Sequence, residues 1–516
     1  MTVRLQDSTT ALAGPGPAPR AAQEARGPFP VLYQMNTRVR MTQLGRCLGR
    51  PATLDDIPDP ELDALAGAGY TWLYLLGVWQ TGEAGRRISR TAPGWRAEFE
   101  HTLPDLTDDD IPGSCFAVTW YSVHEGLGGD AALERLRERL HERGMRLMLD
   151  FVPNHTALDH PWVVEHPDFY LSGTAEDLDR EPQNWARIRT GDGERILAHG
   201  RDPYFDGWPD TLQLDYSDPA LRAARVEELR GIAQRCDGVR CDMAMLVLPD
   251  VFERTWGRDP GNFWQEALSA VRARVPGFVF MAEVYWDREW QLQQLGFDYT
   301  YDKSLYDRLL TGDARTVRGH FLADPDYQAR SARFLENHDE PRAASVFAWD
   351  RHRAAATLTF TCPGLRFVHQ GQNVGRRVRV SPHLDRAPEE SANDEVRRFY
   401  DRLLHCAAHE PLLTGSWQLL RTLPAWEGNR THEEFVAFSW EGSAEERLLV
   451  VVNYSGGPAQ CYLPVPFEDL RGRSFVLEDR LDGYCYERSG DDLAEHGLYL
   501  DVPAWRAHLF QVLPGR

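Results

Sequence analysis

The stretch Leu133-Glu134-Arg135-Leu136-Arg137-Glu138-Arg139-Leu140-His141-Glu142-Arg143-Gly144-Met145-Arg146-Leu147-Met148-Leu149-Asp150 reads as a helix feeding a buried strand. Leu133, Leu136 and Leu140 share one face at i, i+3 and i+7, the spacing of an amphipathic helix. Residues 145–149 form a short apolar run that ends on an acid, Asp150. The same alternation extends in both directions. Residues 31–35 supply a first strand and 71–76 a second. After a helix carrying Leu221, Leu229 and Ile232 come a fourth strand at 238–241 and others at 278–282, 297–301, 332–335 and 365–369. Eight strands with intervening helices, and no Gly-rich phosphate turn after the first, point to an α/β fold. The expected form is a closed (β/α)8 TIM barrel over residues 30–411.

The third unit departs from the pattern. Residues 151–216, rich in Trp, Pro, Asp and Gly, are too long for an ordinary loop and read as an inserted subdomain. Past residue 412 the texture becomes strand-like, as at 435–440 and 448–453, with Gly and Pro punctuation. A C-terminal antiparallel β-sandwich over 412–516 is expected. Residues 1–29, with Pro15, Pro17 and Pro19 among small residues, read as a flexible tail.

Composition narrows the function. With 57 basic and 78 acidic side chains in 516 residues, the net charge of −21 opposes binding to nucleic acid or to anionic membranes. The eight cysteines show no CxxC spacing, which argues against zinc and redox motifs. No apolar signal core or membrane-length run is present, so a reduced cytoplasmic compartment is expected. Sixteen tryptophans, 18 tyrosines and 22 phenylalanines serve the core first, but they can also stack on sugar faces.

In a barrel, polar residues at the C-terminal strand ends face the active-site mouth. Asp150, Asp242 and Glu283 end three strands, and Asp339 follows the seventh. One such acid alone is better read as solvated; four from separate strands would converge on one pocket. Strand alternation puts Arg240 on the same face as Asp242, where its charge keeps the aspartate ionised, as a nucleophile must be. Glu283 follows the apolar run Phe280-Met281-Ala282, where partial desolvation would keep it protonated as a general acid.

The segments Asp150-Phe151-Val152-Pro153-Asn154-His155, Gly238-Val239-Arg240-Cys241-Asp242, Phe280-Met281-Ala282-Glu283 and Asn337-His338-Asp339 resemble, in order, the signature regions of the α-amylase family of glycoside hydrolases and transglycosylases. Pro209-Asp210-Thr211-Leu212-Gln213-Leu214-Asp215 resembles a further segment of that family. The resemblance implies Asp242 as nucleophile, Glu283 as acid and base, and Asp339 as the group gripping sugar hydroxyls. His155 and His338 would hydrogen-bond the sugar in the cleaved subsite, Arg240 would position Asp242, and Asp150 would be a further substrate-binding residue. Phe116 matches a position where the family often stacks a tyrosine under the sugar, a core aromatic being the competing reading. Arg342 matches a terminal-sugar ligand with Asp110 as its partner across the pocket, against a surface salt bridge. Asn154 matches a calcium position of many relatives, against a structural hydrogen-bonder. No cofactor is otherwise required, and the partner implied is a small carbohydrate.

Two departures bear on substrate. Starch-cleaving members carry Lys and His three and four residues after the nucleophile, whereas this chain has Met245 and Leu246. Thr119-Trp120 also stands where an acidic residue is usual before Tyr121. The first departure points away from ordinary endo-amylase action and toward a small or unusual aglycone. The leading expectation is a retaining hydrolase of α-glucosides or short α-gluco-oligosaccharides. A transglycosylase or sugar isomerase using the same intermediate is the alternative. A non-catalytic binding relative or an unrelated metal-dependent barrel must explain why the acids, Arg240 and His338 all persist.

Overall fold

The computed structural model describes residues 29–408, 410–442 and 446–515. The expected tail therefore lies, but for its last position, outside the described residues. Eight strands close into a barrel: β1 (Val31–Asn36), β2 (Trp72–Leu76), β3 (Arg146–Phe151), β4 (Gly238–Cys241), β5 (Val279–Ala282), β6 (Tyr299–Tyr301), β7 (Ser331–Arg333) and β8 (Leu365–His369). Each pairs in parallel with the next, and β8 returns to β1.

Burial on both faces explains the unbroken apolar runs: every residue of β2 and β8 is buried. The interior is a packed layer. Tyr301 and Phe367 stand 5.8 Å apart between ring centroids, Tyr301 and Phe334 5.3 Å, and Tyr74 packs on Phe367 at 6.3 Å. These rings floor the site and exclude water from beneath it. The helix Gly129–His141 buries Leu133, Leu136 and Leu140 together, as its spacing requires.

Two strands differ from expectation. β6 begins at Tyr299 rather than 297, because Gly296 ends the preceding helix with a left-handed turn at φ 113°. β7 pairs only over Ser331–Arg333, so Phe334 and Leu335 are buried but outside the ladder, and Asp339 reaches the mouth on a loop.

Within 151–216, His155–Ala157 pairs with Thr211–Gln213, and Trp185–Thr190 forms a hairpin with Gly193–Ala198. After the barrel, a six-stranded antiparallel sheet includes Ser416–Leu420, Phe435–Glu441 and Arg447–Asn453. It encloses a second apolar core with the strand pair Ala459–Leu463 and Leu498–Val502. Trp440 Nε1 donates to the Thr361 carbonyl at 2.8 Å, fastening this layer to the barrel. No helix among the described residues is long and apolar enough to cross a membrane, and all eight cysteines are unpaired.

Candidate active site

Register sets the level of the site. Arg240 lies opposite Asp150 of β3 and Met281 of β5, so Asp242 and Glu283 leave their strands side by side. The two-residue spacing puts the Arg240 and Asp242 side chains on one face, and the guanidinium then meets three carboxylates. Its Nη1 lies 2.7 Å from Asp242 Oδ1 and 3.6 Å from Asp150 Oδ1, and its Nη2 lies 2.7 Å from Glu283 Oε2. One cation is thus shared by three acids that burial would otherwise force toward neutrality.

Each acid has further donors. Asp150 accepts from Tyr74 Oη at 2.5 Å and from the Gly77 amide at 3.2 Å. Gly77 has φ 79°, and a Cβ there would stand 2.7 Å from Cys115 Cβ, so only glycine allows this approach. Asp150 is 2% exposed and has both oxygens engaged. This corrects its expected role: it is an anchor for Arg240 beneath the site rather than a sugar contact. Glu283 Oε2 accepts from the Met243 amide at 2.7 Å, and Oε1 from Tyr285 Oη at 2.9 Å. Met243 holds a left-handed φ of 40°, a strain of roughly 1–3 kcal/mol for a side-chain-bearing residue, as the chain turns off β4.

Asp242 and Glu283 are both held above the ordinary carboxylate range, chiefly by desolvation, against the pull of Arg240. Burial likewise raises Asp150 to about 6. His155 and His338 are pushed down to about 3 and about 4, again by burial, which leaves both imidazoles neutral at pH 7. His338 Nδ1 meets Gln34 Nε2 at 3.0 Å, and its Nε2 lies 3.0 Å from Asp339 Oδ2. The Asp339 side chain is 41% exposed, the most open of the four acids. Phe116 lies against His338 at 5.3 Å between centroids and under the Arg240 guanidinium at 5.0 Å. It therefore faces the site and is not a remote core ring.

Two further sequence readings change. Arg342 is not an exposed arginine: it is 3% exposed, 3.1 Å from Glu336 Oε1, and donates to the Gln370 carbonyl at 2.8 Å. Its supposed partner Asp110 is bound instead by Arg386, whose Nε lies 2.6 Å from Asp110 Oδ1. The loop after β8 folds back to make that pair, a closure no local pattern announces. Met245 and Leu246 are buried in the core and present nothing to a ligand. The rim beyond Glu283 is aromatic instead. Trp286, at φ 63°, packs edge-on against Tyr204 of the insertion at 5.0 Å, and Tyr204 is exposed. Sequence reasoning passed over Tyr74, Tyr285, Trp286 and Tyr204. The signals available were the aromatic pair Tyr285-Trp286, one residue removed from Glu283, and the adjacent Tyr204-Phe205.

A metal does not fit the carboxylate cluster, because the Arg240 guanidinium occupies the position a cation would take among Asp150, Asp242 and Glu283. Asn154 is buried. Its Oδ1 accepts from Gln213 Nε2 at 3.0 Å, the contact of a structural hydrogen-bonder, which is the competing reading. Among the described residues no group of three or more His, Cys, Asp or Glu is disposed around a common metal position. Excess EDTA is therefore expected to leave the thermal midpoint and initial rate unchanged. A fall in the midpoint that calcium restores would contradict this.

Arg240→Met removes the only cation touching Asp150, Asp242 and Glu283 among the described residues. A loss of roughly 3–5 kcal/mol in urea unfolding is expected, since the buried acids lose their counter-charge. A loss below about 1 kcal/mol would mean that the backbone and hydroxyl donors suffice without it.

The alpha-amylase catalytic-domain family matches residues 117–402, more than half of the chain and all four acids. The chain belongs to that family. Among curated alpha-amylase relatives, MalA of Haloarcula japonica is 25% identical over 371 residues, 70% of this chain and 50% of its own length. Alpha-amylase 3 of Dictyoglomus thermophilum is 24% identical across 54% of this chain and 57% of its own. The chain thus spans about half the length of these relatives. The alpha-1,4-glucan:maltose-1-phosphate maltosyltransferase of Salinibacter ruber is 31% identical over 499 residues, 90% of this chain and 66% of that protein. Among solved structures, the maltogenic alpha-amylase AmyB of Thermotoga neapolitana aligns with a TM-score of 0.66 at 18% identity. That alignment covers 94% of this chain and 99% of AmyB, and it establishes the shared alpha-amylase fold.

Proposed function

We propose that the protein is a retaining α-glycosidase that acts on α-glucosides or short α-gluco-oligosaccharides through a covalent glycosyl-Asp242 intermediate. The observation that carries this reading is the Arg240 fork, which holds Asp242 and Glu283 at 2.7 Å each. Two carboxyls gripped by one guanidinium suit the narrow gap of retaining enzymes, about 5–5.5 Å, better than the wider inverting gap of about 6.5–9.5 Å.

In the first half-reaction an Asp242 oxygen bonds to the anomeric carbon as the glycosidic C–O bond breaks. The leaving oxygen takes the proton of Glu283. In the second, ionised Glu283 draws a proton from water, whose oxygen attacks the anomeric carbon and releases Asp242. Asp339, neutral His155 and neutral His338 hydrogen-bond the ring in the cleaved subsite, and Phe116 gives it a flat face. Asp242 and Glu283 are 6% and 3% exposed, which favours a chain end or a disaccharide over the middle of a polymer. The eight unpaired thiols are in keeping with action in a reduced, cytoplasmic setting.

Transfer to a sugar acceptor is the second reading. It is favoured by the maltosyltransferase relative and by the aromatic rim of Trp286 and Tyr204, which suits a sugar better than water. A proton NMR time course with maltose, maltotriose, trehalose and sucrose separates the cases. Early α-anomer signals are expected for retention, and new linkages without matching reducing ends for transfer. Early β-anomer would overturn both.

Because Asp242 must be ionised and Glu283 protonated at the start, rate against pH is expected to be bell-shaped. The rate rises as Asp242 deprotonates and falls as Glu283 does, with both limbs displaced upward from the ordinary carboxylate range. A basic limb in the ordinary range, below about pH 5, would contradict the acid assignment.

A further inference from the structure

A second cavity, of about 580 Å³, opens beside the helix Thr37–Leu48 and the turn Glu125–Leu127. Its size falls among small-molecule sites, roughly 300–1,000 Å³. Met41, Pro112 and Leu127 give it an apolar floor, while Arg38, Arg46 and His124 stand around it.

The charges here are unusual for a protein of net charge −21. Arg38 is half-buried and donates to the Gly113 carbonyl at 2.6 Å and to Thr81 Oγ1 at 3.1 Å. No carboxylate among the described residues lies within ion-pair distance of it, and burial pulls its pKa down, the mark of a cation short of counter-charge. Arg46 is exposed and likewise has no acidic partner among the described residues. The other two lining arginines are taken: Arg86 pairs with Glu83 at 3.0 Å and Arg50 with Asp56 at 2.5 Å. Asp385, the remaining acid of the cavity, acts on Arg38 only from beyond ion-pair distance, and burial and Asp110 push it up to about 6. His124 accepts the Gly126 amide on Nδ1 at 3.0 Å, which leaves its Nε2 as the ring donor. Two guanidiniums without a carboxylate partner among the described residues, and an imidazole N–H, over an apolar floor match an anionic head on a compact organic body.

We infer that this cavity is a second ligand site, one that binds a small organic phosphate through Arg38, Arg46 and His124. It is separate from the catalytic pocket but shares a wall with it. Gly113 faces Arg38, and Phe116, three residues on, faces Arg240 and His338.

Isothermal titration of the full chain with glucose 6-phosphate tests this. Saturable one-to-one binding is expected, in competition with inorganic phosphate and weakened at least about tenfold by Arg46→Ala and by Arg38→Met. Arg46 is exposed, so its variant should fold even if the Arg38 variant does not. Asp242→Asn should bind glucose 6-phosphate as the unaltered protein does, which separates this site from the reaction centre. The inference is overturned by absent saturable binding, by failure of phosphate to compete, by full binding in Arg46→Ala, or by loss of binding in Asp242→Asn.

Discussion

Asp242→Asn is expected to lower kcat by on the order of 10⁴-fold or more while the protein keeps its fold. The amide is nearly isosteric with the carboxylate and still has an oxygen to face Arg240 Nη1, which lies 2.7 Å from Oδ1 in the native site. The backbone of Asp242 continues the ladder through its amide to the Phe151 carbonyl at 2.8 Å, and that bond does not depend on the side chain. What is lost is the anionic oxygen that bonds to the anomeric carbon, and no other group is placed to replace it. Asp339 is displaced on its own loop beside His338, and Asp150 is sealed under Tyr74 and Gly77. Far-UV circular dichroism and a thermal melt separate lost chemistry from lost fold. Activity within about tenfold of the parent would remove Asp242 from the nucleophile's role.

The second large effect falls on Glu283→Gln, expected to reduce turnover of maltose by roughly 10²- to 10⁴-fold. Here the leaving group decides the size. A sugar oxygen needs a proton as it departs, whereas fluoride leaves without one, so glucosyl fluoride should form the intermediate in this variant at a much smaller penalty. The descending limb of the pH profile should vanish as well, because a glutamine has no proton to lose above the pKa of the native acid. An equal loss on maltose and on glucosyl fluoride, with the limb retained, would show that Glu283 positions the substrate rather than protonating it.

Much of this architecture was legible in the sequence, for a physical reason. Parallel barrel strands are buried on both faces, so β2 and β8 announce themselves as apolar runs, and the period of Leu133, Leu136 and Leu140 marks the helix between. The site was legible where chemistry rests on short-range geometry. Arg240 and Asp242 share a face because a strand alternates, and Glu283 follows an apolar run because it sits at the end of one.

Illegible were the contacts made across the fold. Tyr74 reaches Asp150 over 76 residues and Arg386 reaches Asp110 over 276, and neither pair leaves a local pattern. The burial of Arg342 has the same cause, since its guanidinium also reaches the Gln370 carbonyl 28 residues on. β7 is shorter than its apolar run because Phe334 and Leu335 are buried beyond the ladder, Phe334 against the interior rings Tyr301 and Phe367.

The covalent intermediate is the centre of the account, and trapping it tests the account most directly. The purified protein would be incubated with a fluorinated glucosyl fluoride, whose ring fluorine slows the second half-reaction more than the first. Intact mass and peptide fragmentation would then locate any adduct. One glycosyl group per chain, on Asp242, is the predicted result. An adduct on another residue, or continued turnover with inversion of the anomeric centre and no adduct at all, would contradict it.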